Sequence, residues 1–402
     1  MVKSVKRPPL RGLLAVVLAA ATIVFAGPVR AAGTEGAKPL ANTQPAPDEP
    51  LRLIVSLAEQ RIDVYRGDAL VSSSNVSTGQ NGYDTPSGVY SILQKSKWHR
   101  SNIYSAAPMP FMQRLTWSGI ALHEGNVSRP YASHGCIRLP RQFAMDLFQM
   151  TGIGTDVIVV AGDARPQSIV HPALFQPSQA AVFASIGGAG ELAADKPSPA
   201  EGASGARRLD APVLRVSNSP LRILITRRTG RERLKDLQGM LAELGFGPGD
   251  IDGYMGPDTG RAIRAFQQSL GLQPTGMLSE DLFGQLYAAV GREEIAGHIY
   301  VRQDYVDLFD APVDIRRPDA PLGTHVFAAG AFSPASRRAS WTALTMTAGE
   351  QSTPAEALER IDIPADIYRR ISLLLTPGTS LIVSDAGLGR ETGKGTDFIV
   401  QP

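Results

Sequence analysis

The chain has 402 residues, 43% hydrophobic and 19% charged, with a formal net charge of +2 and one cysteine. That length predicts two or three domains, and the charged fraction excludes a long disordered polyelectrolyte. Near-neutrality gives no support to a nucleic-acid binder held by phosphate contacts. One cysteine excludes an intramolecular disulfide and a cysteine-rich zinc module.

Lys3, Lys6, Arg7 and Arg11 precede an uncharged apolar run of 14 residues, Gly12 to Phe25. A bilayer span needs roughly 20. Val29-Arg30-Ala31 then offers the small residues of a signal-peptidase site. Residues 1–31 read as a signal peptide and the protein as exported, to periplasm or cell wall, with no stable membrane insertion after cleavage. An uncleaved anchor is the competing reading. Residues 32–50 hold four prolines and no aromatic residue, and read as a linker.

Over 51–161, short β-branched segments recur: Leu51–Leu57, Arg61–Tyr65, Ala69–Ser74, Gly88–Leu93, Ile120–His123 and Val157–Val160. Several alternate with period two, which predicts a mostly β domain. One helix is expected at Arg141–Met150. Residues 162–221 read as a linker, since 15 of the 20 residues in 187–206 are Ala, Gly, Ser or Pro.

Residues 222–291 carry three stripes at helical spacing. Leu234, Leu237, Leu241 and Leu244 are closed by Gly245; Ile263, Phe266 and Leu270 by Gly271. Leu282, Leu286 and Ala289 are opened by Ser279 as an N-cap. Residues 292–402 return to β-like character at His298–Val301, Thr324–Ala328 and Ser380–Ser384, with no assigned role. The expected fold class is therefore multidomain: a mostly β domain, a small three-helix bundle and a C-terminal β-rich α/β segment.

The chemistry gathers around the cysteine. Two of the chain's six histidines, His123 and His134, fall within 13 residues of Cys136 in the run Ser133-His134-Gly135-Cys136-Ile137-Arg138. A thiol becomes a strong nucleophile only when ionised, and a neighbouring imidazole takes its proton. His123 ends an apolar strand and is held rigidly, which suits a general base. His134 adjoins the nucleophile, so on an extended backbone its side chain points away. It shapes the loop or polarises a carbonyl. Gly135 admits close approach of substrate, with amide groups facing an oxyanion. Arg138 suits a substrate carboxylate. A zinc site of His123, His134 and Cys136 competes, but it leaves Gly135 without a role and sets a cation beside Arg138. No metal or cofactor is expected.

These residues carry a resemblance. Ser133 to Arg138, preceded by His123, is similar to the signature of the YkuD-type L,D-transpeptidases, bacterial peptidoglycan cross-linking enzymes. Ile54–Tyr65, Ser77-Thr78-Gly79, Thr85-Pro86-Ser87-Gly88, Met109-Pro110-Phe111 and Gly119–His123 also resemble that family, over Leu51 to Ala161. The resemblance implies a YkuD-like catalytic domain with Cys136 as nucleophile and His123 as general base. His134 and Gly135 would assist the oxyanion, and Ser133 and Arg138 would face substrate. Glu124 stands where some relatives carry a Ser or Thr that orients the base. The implied reaction is ping-pong acyl transfer: Cys136 expels the terminal D-Ala of a stem tetrapeptide, and an amine of another stem takes the acyl group. Water as acceptor makes the same site an L,D-carboxypeptidase. A non-catalytic wall-binding protein is the reading from another class, separated from the enzyme by an activated, low-pKa thiol.

Residues 237–286 resemble a three-helix peptidoglycan-binding domain, through Asp252-Gly253, Gly256, Thr259, Ala262, Phe266-Gln267 and Thr275-Gly276. The implied partners are peptidoglycan stem peptides and glycan. An EF-hand starting at Asp250 fails, because Tyr254 and Arg261 fall at ligand positions. Asp385 to Gly395 lacks the spacing of a phosphate loop. Trp117, Tyr131 and Tyr104 read as packing or as a substrate groove. Finally, Asp319-Ala-Pro321-Leu-Gly323 echoes Asp84-Thr-Pro86-Ser-Gly88, which suggests a degenerate second copy of the β domain without a His-Gly-Cys segment.

Overall fold

The computed structural model describes residues 49–103, 106–178, 217–228, 230–333, 338–346 and 352–402. The expected signal peptide, nearly all of the first linker, the 187–206 stretch and Tyr104 lie outside them.

The first sheet runs in the order β3-β2-β1-β9-β4, built from β1 (Leu51–Ser56), β2 (Arg61–Arg66), β3 (Ala69–Asn75), β4 (Gly88–Ser91) and β9 (Asp156–Val160). β1 pairs with β2 antiparallel and with β9 parallel. Its residues are buried on both faces, so it reads as a continuous apolar run rather than an alternation. Leu53 and Val55 enter one core and Ile54 another. A four-stranded sheet completes the domain, β5 (Gln94–Arg100), β6 (Pro108–Arg114), β7 (Ala121–Glu124) and β8 (Ile137–Leu139), followed by helix α1 (Arg141–Met150). β5 is polar and β6 holds two prolines, which hid both from the sequence. β6 meets β7 only through Gln113 and Arg114, so Pro108 and Pro110 sit where one side of the strand has no ladder to break.

The three helical stripes form α2 (Gly230–Glu243), α3 (Pro257–Ser269) and α4 (Glu280–Ala289), packed through Leu237, Leu241, Ile263, Phe266, Leu282 and Leu286. Ser279 Oγ accepts the Leu282 amide at 3.2 Å as N-cap. Buried Gln238 and Gln267 each fasten a loop, accepting from the Gly253 and Gly276 amides at 2.8 Å.

The strand preceding these helices, β11 (Arg222–Arg227), pairs with β12 (Gly297–Gln303) and β17 (Ser380–Ser384). The bundle is therefore inserted between neighbouring strands of a second sheet, ordered β10-β15-β14-β17-β11-β12-β13-β16. Its other strands are β10 (Gln167–Ile169), β13 (Val306–Ile315), β14 (Thr324–Phe332), β15 (Ala339–Thr345) and β16 (Ile361–Asp362); helices α5 (Pro354–Glu359) and α6 (Ala365–Leu374) flank β16.

This sheet repeats the first one. The run β13-β12-β11-β17-β14 has the order and pairing senses of β3-β2-β1-β9-β4. The register break after Val64 recurs after Val301. Gly154 donates to Ile92 O at 2.8 Å, and Gly378 to Ala329 O at 2.9 Å; both glycines have positive φ. Ile137-Arg138-Leu139-Pro140 leads into α1 as Ile361-Asp362-Ile363-Pro364 leads into α6. The pairing aligns Val89 with Val326, since these oppose Ile158 and Ile382. The Pro-Gly echo noticed in the sequence thus precedes the corresponding strand but sits two residues out of register.

The two sheets pack through equivalent residues: Ile54, Val89 and Ile158 meet Leu224, Val326 and Ile382 in one core, the self-complementary contact of a two-fold dimer. Each copy sends its following segment across to the other. Leu174 and Phe175 enter the core of the second copy, and Ile399 that of the first. Arg222 of the second copy binds Asp156 of the first at 2.9 Å.

Candidate active site

β7 and β8 run parallel, with His123 opposite Arg138 and Cys136 immediately before β8. These three residues, with Ser133 and His134, line one cavity of about 320 Å³. The histidine of one strand and the cysteine 13 residues later thus meet because a parallel pairing brings β8 back beside β7.

His123 is only 8% exposed. Its Nδ1 lies 2.6 Å from the Glu124 carbonyl oxygen. A carbonyl only accepts, so Nδ1 carries the proton and Nε2 keeps its lone pair. The main chain of Glu124, rather than a Ser or Thr side chain, orients the base. Burial pushes the His123 pKa down to about 4, with the Glu124 carbonyl opposing.

Cys136 Sγ donates to the Gly119 carbonyl at 3.4 Å. Burial pushes the thiol pKa up; the Ala121 amide, Arg138 and Arg114 act against it. Among the described residues no hydrogen bond joins Sγ to His123. Burial thus favours the uncharged form of both groups: the neighbours of the thiol are cationic, but desolvation is the largest effect.

The loop before Cys136 is fixed by its own hydroxyls. Ser133 is 1% exposed; its Oγ donates to Cys136 O at 2.5 Å and accepts from the Gly135 amide at 3.1 Å. Ser133 therefore holds the loop, and the Gly135 amide is engaged within it. Gly135 has φ +102°, and a Cβ there would stand 2.8 Å from Ile120 Cδ1, so glycine is required twice over. Thr85 Oγ1 donates to Gly135 O at 2.8 Å and accepts from the Gly79 amide at 2.9 Å. Nothing local to Thr85 announces a bond to a residue so distant along the chain. His134 is exposed and makes an edge contact with the Tyr83 ring, centroids 4.6 Å apart.

Among the described residues no carboxylate pairs with Arg138; the nearby Glu124 is bound by Arg141 at 3.2 Å. The Arg138 stem lies across Gly125, where a Cβ would meet it at 2.9 Å. Trp117 and Tyr131 are exposed, and Tyr131 is tied by its hydroxyl to Leu57 O at 3.0 Å. No group of three His, Cys, Asp or Glu among the described residues could hold a metal ion.

A cysteine, an oriented histidine and an arginine thus face one cavity. Residues 50–159 match the family model of the L,D-transpeptidase catalytic domain, and residues 230–286 that of a putative peptidoglycan binding domain. No curated protein matches the chain. Among solved structures, the chain is similar to an L,D-transpeptidase from Stackebrandtia nassauensis at 28% identity and TM-score 0.27, covering 30% of this chain and 58% of that one. An L,D-transpeptidase from Mycobacterium smegmatis matches at 20% and 0.26, covering 28% and 58%. Mycobacterium tuberculosis L,D-transpeptidase 1 matches at 24% and 0.25, covering 28% and 62%. The chain spans less than two thirds of the length of each.

Proposed function

We propose that the protein is an exported L,D-transpeptidase that cross-links peptidoglycan through a Cys136 thioester. The observation that carries this reading is the pairing of β7 with β8, which sets an oriented imidazole and the only thiol on one cavity. As Sγ attacks the carbonyl carbon before the terminal D-Ala, its proton passes to His123 Nε2. The oxyanion is assigned to the Cys136 amide on the His134–Gly135 loop. His123 returns the proton to the departing D-Ala nitrogen, leaving a thioester. A stem amine then attacks it, giving a proton to His123, which passes that proton to Sγ as the thiol leaves. The Arg138 cation, which no carboxylate pairs among the described residues, suits a stem-peptide carboxylate.

The helical insertion, matched to the peptidoglycan-binding model, is assigned to wall attachment. We take 51–161 as the catalytic domain and the helical insertion, matched over 230–286, as the wall-binding region; β11 (Arg222–Arg227), which the sequence reading put with the helices, belongs to the second sheet, and 292–402 carries no assigned reacting group. Among the described residues no helix is long and apolar enough to cross a membrane; export is assigned to residues 1–31.

Disaccharide-tetrapeptide fragments incubated with the mature protein and a Cys136→Ala control test the reaction. A Cys136-dependent dimer lacking one D-Ala supports transpeptidation. Tripeptide alone would move the assignment to L,D-carboxypeptidase, and no Cys136-dependent product would leave a wall-binding protein.

A further inference from the structure

The thiol is held by a hairpin turn that a distant part of the chain fastens. Gly119, whose carbonyl accepts the Cys136 thiol, sits in the turn between β6 and β7. The turn's own bonds close its base: Leu115 N and Thr116 N donate to Ile120 O at 2.8 and 3.2 Å, Gly119 N donates to Thr116 O at 3.2 Å, and the Thr116 hydroxyl accepts the Ile120 amide at 3.0 Å and the Ser118 hydroxyl at 2.9 Å. At its tip the consecutive amides of Trp117 and Ser118 point outward, and both end on one carboxylate. Glu391 Oε2 accepts the first at 2.7 Å and Oε1 the second at 2.8 Å. The Trp117 indole Nε1 adds a bond to Lys394 O at 2.9 Å.

Glu391 belongs to the segment following β17, which the second copy sends across to the first. That segment is anchored on both sides of Glu391. Ahead of it, Gly389 N donates to Ile399 O at 2.9 Å; beyond it, Val400 bridges Val89 on β4. The carboxylate is thus carried on an ordered arm, and charge-assisted bonds to main-chain amides are the strong class.

We infer that Glu391 is a positioning residue of the active site: by clamping the Trp117-Ser118 amides it fixes the Gly119 carbonyl that holds the Cys136 thiol, so the second copy completes the catalytic site of the first. The inference rests on the transpeptidase reading only where turnover is measured. The thiol's own reactivity tests it independently.

Glu391→Ala and Glu391→Gln are made in the full mature chain, and the rate of Cys136 alkylation by iodoacetamide is followed from pH 6 to 10. With the carbonyl released, the thiol loses its acceptor. The alkylation profile of Glu391→Ala shifts along the pH axis and its plateau rate changes severalfold. Glu391→Gln, which keeps one acceptor oxygen, falls between it and the parent. Turnover of disaccharide-tetrapeptide drops about tenfold in kcat at unchanged KM. Trp117→Phe, which loses only the Lys394 bond, keeps the fold intact should Glu391→Ala melt early, and shifts the profile in the same direction by less. Alkylation profiles of Glu391→Gln and Trp117→Phe that superimpose on the parent would overturn the inference. A shifted profile with no transpeptidation in the parent would retain the positioning role while rejecting the transpeptidase reading.

Discussion

Where the first copy has Cys136, immediately before β8 and α1, the second has Arg360, immediately before β16 and α6. The Arg360 guanidinium donates to the carbonyls of Arg316, Arg317, Ala320 and Pro321 at 2.5–3.1 Å. In the first copy the corresponding loop, around Gly79 and Thr85, is fastened to the cysteine loop by hydroxyl and main-chain bonds instead. Among the described residues the second copy also has no counterpart of β7, the strand that carries the base: there β15 is followed by α5 and then β16. The comparison teaches that the sheet and the following helix are the common frame, while catalysis depends on one strand, one loop and the residue at a single position. A cation filling that position stabilises the frame and closes the site.

The largest expected effect separates the two copies outright. Cys136→Ala lowers turnover to background, a loss on the order of 10⁴-fold or more, and the double variant Cys136→Ala/Arg360→Cys stays inactive, because no imidazole strand faces the new thiol. Turnover by the double variant would break the comparison.

Arg360→Met removes the guanidinium from four carbonyls, of which only those of Arg317 and Ala320 keep another donor, and is expected to destabilise the protein by about 2 kcal/mol in urea unfolding, while the alkylation profile of Cys136 is unchanged. An altered profile would mean that the second copy's filled site acts on the first.

Titration of the base gives an effect of similar size. His123 has a folded pKa of about 4 against an ordinary value of 6.5. Between those values the unfolded chain binds more protons, so stability rises with pH and is lost as pH falls from 6.5 toward 4, by up to about 3 kcal/mol. His123→Phe should flatten this slope in denaturation midpoints taken from pH 4 to 7, and an unchanged slope would contradict the burial argument. Catalysis by a neutral base should likewise persist well below pH 6.

The smallest effect concerns the loop fastening. Thr85→Val removes the bond to Gly135 O and is expected to cost about 1 kcal/mol, with a fall in kcat of a few fold at constant KM.

The β1, β2, β3 and β9 strands and α1 were legible because an apolar run or stripe marked each one. β5 and β6 were not, since their stability comes from pairing with each other rather than from burial of alternate residues. β11 lay hidden beside the helices because a domain is inserted between it and its partner β12, and a local reading assigns contiguous sequence to contiguous structure. The candidate residues His123, Ser133, His134, Cys136 and Arg138 could be named from the sequence, and the structure brings them to one cavity. Their supports, Thr85, Gly119, Gly125 and Glu391, were not. Each acts through a contact distant in sequence, and in two of them the acting group is the main chain or a missing side chain.

The central claim is that Cys136 forms a thioester during turnover. Intact-protein mass spectrometry of the mature protein, quenched in acid within seconds of mixing with disaccharide-tetrapeptide, tests it most directly. The account predicts an adduct equal to the substrate less D-Ala, absent in Cys136→Ala and discharged on adding an acceptor amine. D-Ala release with no adduct on the parent, or an adduct that survives in Cys136→Ala, would contradict it.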